Sequence, residues 1–220
     1  MCKNNKFNLC ISIGFLLVFI VWTSLICFVD VSAVGPNDSM VGFATINLHF
    51  HKLIGVNMSL YVITDWLGLV PIFFVASFAA FGLVQWIKRK QISKVDYDIL
   101  ALGVYYLVVS LVYLLFEYLI INYRPILING VLEASYPSST TLLAVCVIPT
   151  VIMQFGLRIK NNLLKKCINI ILSLFLLFMV AGRLVSGVHW LTDIIGGTLL
   201  GAGLVSMYKY IIKNEYKHNN

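Results

Sequence analysis

Three ionisable side chains stand close together in the stretch AGRLVSGVHWLTD, near the C-terminal end of a very apolar sequence. They are Arg183, His189 and Asp193. An Asp four residues after a His can accept a hydrogen bond from one imidazole nitrogen and leave the other nitrogen free to attack. The two share one helical face if the last helix begins near Val188. Because an arginine nearby can bind phosphate, the stretch predicts a phosphate site with a histidine nucleophile.

A second stretch, YRPILINGVLEASYPSSTT, adds polar groups of the same kind. Arg124 is followed directly by a proline, and Pro137 precedes the hydroxyl residues Ser138, Ser139 and Thr140 at the start of an apolar run. Backbone N–H groups and hydroxyls at a helix N-terminus bind anions, and the helix dipole favours negative charge there. Ser138 or Ser139 could also simply cap the helix, and the two roles are compatible. The combined groups predict a phosphoryl-transfer pocket.

The composition places these residues in a membrane. Of the 220 residues, 60% are hydrophobic and only 11% are charged, and the mean hydropathy is +0.92. A soluble domain of this length needs more polar surface, and about 20 apolar residues form one helical crossing of a bilayer. The sequence therefore predicts an all-α bundle of six membrane-spanning helices in a single domain over residues 1–220. The predicted spans are 9–29, 62–87, 99–121, 141–157, 167–185 and 191–212.

Basic residues are distributed unevenly over the connectors between these spans. Thirteen of the 16 lysines and arginines fall in the two termini and the two connectors that lie on one side of a six-span topology. Cytoplasmic connectors are enriched in Lys and Arg, so we predict a multi-pass cell-membrane protein with cytoplasmic termini and an outward-facing His189. This bias accounts for the net charge of +7, and no nucleic-acid partner is expected. Residues 34–61 are too polar to span and predict a partly helical layer at the outer interface.

The two polar stretches resemble the motifs of the type 2 phosphatidic acid phosphatase family. GRLVSGVHWLTD resembles its SRxxxxxHxxxD motif, YRP the end of its KxxxxxxRP motif, and YPSSTT its PSGH motif. Motif order, spacing and span number agree over most of the chain. The resemblance implies that His189 forms a phosphohistidine and that Asp193 supports it. The residues that it assigns to phosphate binding are Arg124, Arg183, Ser138, Ser139 and Thr140.

Two positions depart from these motifs in a way that affects catalysis. Glu117 stands where the family has a lysine, and Thr140 stands where it has the histidine that protonates the leaving group. A threonine hydroxyl does not donate a proton as an imidazolium does, and losing general acid catalysis costs roughly 10²–10⁴-fold in rate. Three explanations stay open. A protonated Glu117 acts as the acid, the leaving group is a phosphate that needs less protonation, or the pocket binds lipid headgroups without turnover.

The sequence thus predicts a lipid phosphatase that acts at the outer face of the membrane. Isoprenoid diphosphate is the first candidate substrate because its good leaving group tolerates Thr140. Phosphatidic acid and phosphatidylglycerol phosphate come next. The alternative function is a catalytically weak or inactive protein that binds or translocates phospholipid, and a phosphotransferase with an acceptor other than water ranks third. We expect the reaction to need neither a cofactor nor a metal ion.

Overall fold

Eight α-helices account for most of the computed structural model, which describes residues 2–218. They are α1 (Cys2–Phe28), α2 (Ala44–Ile54), α3 (Met58–Leu67), α4 (Leu69–Arg89), α5 (Tyr97–Tyr118), α6 (Ser139–Arg158), α7 (Asn162–Val185) and α8 (Leu191–His218). Two-residue strands β1 (Ser32–Ala33) and β2 (Met40–Val41) pair antiparallel, with Ser32 opposite Val41. Short 3-10 turns occur at Pro36–Asp38 and Ile92–Lys94.

Six helical segments within residues 2–218 are long and apolar enough to cross a membrane. They are Lys6–Phe28, Met58–Arg89, Tyr97–Tyr118, Ser139–Arg158, Asn162–Val185 and Leu191–Asn214. This confirms the predicted fold class, an all-α bundle with six spans and an interfacial segment. The second span consists of α3 and α4, which meet at Gly68. Pro71 lacks the N–H that would bond to the carbonyl of Leu67, so α3 ends there.

Two asparagines set where helices begin. The side chain of Asn57 accepts a hydrogen bond from the Leu60 N–H at 2.9 Å and caps α3. Residues 58–61, which the sequence assigned to the interfacial layer, therefore form the first turn of the second span and bring Tyr61 into a helix. Asn161 caps α7 in the same way, with a distance of 3.1 Å to the Leu164 N–H.

Helices α6 and α8 form the centre of the bundle. In each of these two spans, 56% of an 18-residue apolar stretch is buried within the protein. The corresponding share is 11% to 28% in the other four spans. Small residues on α8 allow this close packing, because Gly201 lies against Val145 of α6 and Gly203 against Leu16 of α1. The N-terminal ends of α6 and α8 carry Ser139, Thr140 and Asp193, so these predicted site residues are attached to the most buried part of the fold.

The interfacial layer is tied to the turn that precedes α8. Asn47 of α2 is fully buried, and its side chain accepts a hydrogen bond from the Thr192 N–H at 3.3 Å and donates one to the Thr192 hydroxyl at 3.0 Å. Gly187 has a φ of +69°, and a Cβ at this residue would clash with the backbone of Gly55. The layer therefore helps to fix the turn from residue 186 to 190.

A polar cluster closes the opposite end of the bundle. The carboxylate of Asp98, on α5, accepts a hydrogen bond from Arg158 of α6 at 2.7 Å. Gln154 of α6 donates to the hydroxyl of Tyr208 at 2.5 Å, and Tyr208 donates to the Asp98 carbonyl at 3.2 Å. These contacts hold α5, α6 and α8 together far from the predicted site.

The orientation of the bundle can be tested by thiol labelling. We expect a cysteine at the exposed Val131, in the connector before α6, to react with a membrane-impermeant reagent in intact cells, because the basic connectors lie on the other side. A cysteine at the exposed Lys160 is the matched control and should react only after lysis. Both variants are made after the five native cysteines are replaced by alanine. The reverse labelling pattern would contradict the predicted orientation.

Candidate functional site

The site is centred on His189, which lies in the short turn between α7 and α8 and is only 4% exposed. Its Nδ1 lies 3.7 Å from Oδ2 of Asp193, which is within ion-pair range but longer than a hydrogen bond. Its Nε2 lies 3.3 Å from Nη2 of Arg183. The structure thus brings the three residues together, with one imidazole nitrogen facing the carboxylate and the other facing the guanidinium.

Asp193 contacts the imidazole because it folds back over the start of α8. The helix begins at Leu191 and not near Val188, so His189 lies ahead of it, and the expected pairing on one helical face is wrong. Oδ2 of Asp193 instead accepts a hydrogen bond from the Trp190 backbone N–H at 2.9 Å. An acidic residue at the third helical position caps an N-terminus in this way. Helix capping therefore places the carboxylate beside the imidazole.

The connector before α6 holds this turn from the other side. Asn122 donates a hydrogen bond to the second oxygen of Asp193 at 3.4 Å. The indole of Trp190 donates to the carbonyl of Tyr123 at 2.7 Å, and the Ser138 N–H donates to the Asp193 carbonyl at 3.1 Å. The two polar stretches of the sequence are therefore joined by hydrogen bonds into one unit.

Two buried arginines lie near the same aromatic ring. Arg183 is 1% exposed and Arg124 is 8% exposed. The guanidinium carbon of Arg183 lies 4.9 Å from the centre of the Tyr61 ring, and that of Arg124 lies 5.9 Å from it, so both are within cation–π range. One carboxylate contacts each arginine. Asp65 lies 3.6 Å from Arg183, and Glu133 lies 3.0 Å from Arg124.

Several donors in this pocket are buried without a hydrogen-bond partner among residues 2–218. They include Nη1 of Arg124, Nε of Arg183 and the hydroxyl of Ser138. Buried donors cost free energy unless they are paired, and two guanidinium charges at close range repel each other. A phosphate group would neutralise both charges and accept these hydrogen bonds. Within the same residues, no group of three or more His, Cys, Asp or Glu side chains could hold a metal ion.

The N-terminus of α6 opens into the same region. Ser138 precedes the helix, but its side chain makes no capping hydrogen bond, and its hydroxyl is buried. Ser139 and Thr140, in the first turn, are both partly buried. The first backbone N–H groups of a helix have no partner within the helix, so this turn can donate to an anion.

The two residues that depart from the family motifs line different cavities. Glu117, at the end of α5, is exposed and lines a small cavity with His189 and Ser139. Thr140 lines a larger cavity with Asp65 and Ser139, between α3, α4, α5 and α6. The structure therefore does not place Glu117 in the cavity that Thr140 faces.

Helix α3 contributes residues that the sequence analysis did not identify. Tyr61 lies against both arginines, and Asp65, four residues later, contacts Arg183. The one available signal was the spacing, since residues four apart share a helical face. The predicted boundary at residue 62 placed Tyr61 in the interfacial layer and Asp65 in the second span.

The surroundings of His189 keep its imidazole neutral. Burial lowers its pKa well below 6.5, and the positive charges of Arg124 and Arg183 lower it further, while the carbonyl of Ser135 opposes them. A neutral imidazole has a lone pair on one nitrogen and can attack an electrophile. The same arginines that could bind an anion therefore keep His189 in the form that can act as a nucleophile.

Comparisons with known proteins agree on one family. A family model described as the PAP2 superfamily matches residues 72–217. The structure resembles the crystal structure of a transmembrane PAP2-type phosphatidylglycerolphosphate phosphatase from Bacillus subtilis, with a TM-score of 0.66 and 19% sequence identity. The match covers 93% of this chain and 96% of the Bacillus chain. A search of curated proteins finds no match.

The lowered pKa of His189 makes a prediction about stability. In the unfolded protein this histidine gains a proton near pH 6.5, while in the folded protein it stays neutral to a much lower pH. As the pH falls below 6.5 the unfolded state binds more protons, so the free energy of unfolding decreases, by up to about 1.4 kcal/mol per pH unit. In detergent, the midpoint temperature of thermal unfolding should therefore fall more steeply with decreasing pH below 6.5 for the wild type than for His189→Gln. Parallel curves for the two proteins would contradict the assignment.

Proposed function

Because the chain belongs to the PAP2 superfamily, we propose that it is a membrane lipid phosphatase that uses His189 as its nucleophile at the outer face of the membrane. The observation that carries this proposal is the contact of 3.3 Å between Nε2 of His189 and the Arg183 guanidinium, with Asp193 on the Nδ1 side. A phosphoryl group bound by the arginines would lie next to the free imidazole nitrogen. This is the arrangement that nucleophilic attack on phosphorus requires.

The proposed first step transfers the phosphoryl group to the protein. Nε2 of His189 attacks phosphorus, the bond from phosphorus to the leaving oxygen breaks, and the electron pair departs with that oxygen. Arg124 and Arg183 offset the negative charge on the phosphoryl oxygens. The imidazole becomes positively charged, and the nearby Asp193 carboxylate stabilises it and holds its orientation.

The leaving group decides which substrate suits this site. Thr140 supplies no acid, and Glu117 lines the cavity of His189 and not the cavity of Thr140. We therefore favour a substrate that leaves as a phosphate and needs little protonation, namely an isoprenoid diphosphate. The name of the similar Bacillus protein makes phosphatidylglycerol phosphate the second candidate.

Replacement of the nucleophile should abolish turnover. We expect His189→Ala to reduce phosphate release from a lipid diphosphate to background, because no other group forms the phosphoenzyme. Asp193→Asn should keep a small residual rate, since the amide oxygen can still cap Trp190 while the imidazole loses its charged partner. His49→Ala, which changes an exposed histidine of the interfacial layer, is the matched control and should behave as the wild type.

Near-normal phosphate release by His189→Ala would exclude the proposed mechanism. Lipid headgroup binding that survives in His189→Ala and weakens in Arg124→Ala, with no phosphate release from any lipid by the wild type, would identify a non-catalytic binder instead.

The absence of an acid at position 140 predicts a strong substrate preference. Turnover of the diphosphate should exceed that of a lipid monophosphate by roughly 10²–10⁴-fold, the usual contribution of general acid catalysis. Thr140→His should raise monophosphate turnover by roughly 10-fold or more, because an imidazolium can protonate the alkoxide. Glu117→Gln should leave the ratio between the two substrates unchanged. If Glu117→Gln removed monophosphate turnover alone, Glu117 would be the acid.

A further inference from the structure

Asp65 lies at the end of the Arg183 guanidinium that points away from the nucleophile. One terminal nitrogen of Arg183, Nη2, is 3.3 Å from Nε2 of His189. The other, Nη1, is 3.6 Å from Oδ1 of Asp65. The two ends of one guanidinium thus contact the imidazole and the carboxylate, so a phosphoryl group bound to Arg183 would lie close to both.

The packing of α3 fixes the backbone that carries this carboxylate. Thr64 is fully buried and packs against Gly182 of α7, where a Cβ would meet the Thr64 methyl at 2.7 Å. The Asn57 N–H donates to the carbonyl of Ser186 at 3.0 Å, so the start of α3 is tied to the turn that carries His189. Asp65 is therefore held by the backbone of α3 as well as by its ion pair.

Asp65 is an accessible acceptor beside Arg183. Its side chain is 58% exposed, and its Oδ1 lies 3.6 Å from Nη1 of the guanidinium. A carboxylate accepts hydrogen bonds and has no proton to donate. Asp65 also lines the cavity that contains Thr140 and Ser139.

Hydrolysis of a phosphohistidine needs a base at this position. Water attacks phosphorus from the side opposite the bond that breaks, so the water lies across the phosphoryl group from Nε2 of His189. A base must contact that water directly, at about 2.6–3.2 Å, and must therefore stand one phosphoryl group away from the imidazole. Glu117 lines the cavity of His189 itself, whereas Asp65 lies beyond the guanidinium.

We propose that Asp65 is the general base that activates water in the second half of the reaction, an inference that rests on the proposed function. Asp65 takes a proton from the water, and the water oxygen forms a bond to phosphorus. The bond from phosphorus to Nε2 of His189 breaks, and its electron pair returns to the imidazole nitrogen. Inorganic phosphate leaves, and the exposed Asp65 releases its proton to solvent.

The experiment separates the two halves of the reaction with Asp65→Asn, which keeps the size of the side chain. Purified protein is mixed with an isoprenoid diphosphate that is radiolabelled in its terminal phosphate, and samples are quenched in alkali, which preserves phosphohistidine. We expect Asp65→Asn to release the unlabelled isoprenoid monophosphate in a normal first turnover and then to accumulate labelled protein. Steady-state release of inorganic phosphate should fall by roughly 10²–10⁴-fold.

Three further variants complete the test. Asp38→Asn changes an exposed carboxylate of the interfacial layer and should match the wild type. His189→Gln should give no labelled protein. In Asp65→Ala, added formate should restore part of the phosphate release, because a small carboxylate can replace the missing base.

Two results would overturn the assignment of Asp65 while leaving the proposed function intact. The first is normal steady-state release by Asp65→Asn. The second is an equal loss of the first turnover and of steady-state release without labelled protein, which would mean that Asp65 only positions Arg183. A wild type that neither releases phosphate nor becomes labelled would refute the proposed function itself, and the inference with it.

Discussion

The burial of two guanidinium groups beside one neutral imidazole is the constraint on which the site depends. Arg124 and Arg183 are both nearly inaccessible, and both contact the ring of Tyr61. Like charges held together in a poorly solvated place are unstable unless an anion joins them. The arrangement therefore favours the binding of an anion. It also lowers the pKa of His189, so one electrostatic feature would serve both phosphate binding and the reactivity of the proposed nucleophile.

The surrounding fold can be understood as the structure that holds these charges in place. The buried helices α6 and α8 supply a rigid centre, and capping of α8 by Asp193 orients the carboxylate towards His189. The interfacial layer adds a second fixed contact through Asn47 and Thr192. Polar hydrogen bonds of this kind lie at the ends of the helices, where the backbone leaves its regular pattern and its donors and acceptors need partners. The apolar spans hold the helices in position, and the polar residues at the ends of the spans form the candidate site.

The sequence predicted the number of spans and the family because both depend on local patterns. Six apolar runs define the bundle, and the spacing of Arg183, His189 and Asp193 lies within one short stretch. The roles of Tyr61 and Asp65 could not be predicted in this way. They depend on how α3 packs against α7, which is a contact between distant parts of the chain. The contact between His189 and Asp193 was expected on a helical face, but it arises from a helix cap, since the spacing alone fits both geometries.

The departures at Glu117 and Thr140 are consistent with a reaction whose first half needs no protein acid and whose second half uses a base other than residue 140. A histidine at position 140 could serve as an acid first and as a base afterwards, whereas threonine can serve as neither. A diphosphate substrate removes the need for the acid, because its leaving group is already a stable anion. It does not remove the need for a base, since water must still lose a proton when the phosphohistidine is hydrolysed. In the proposed mechanism, Asp65 on α3, which lines the cavity of Thr140, takes the role of the base. Under this proposal, threonine at position 140 narrows the range of substrates without stopping the catalytic cycle.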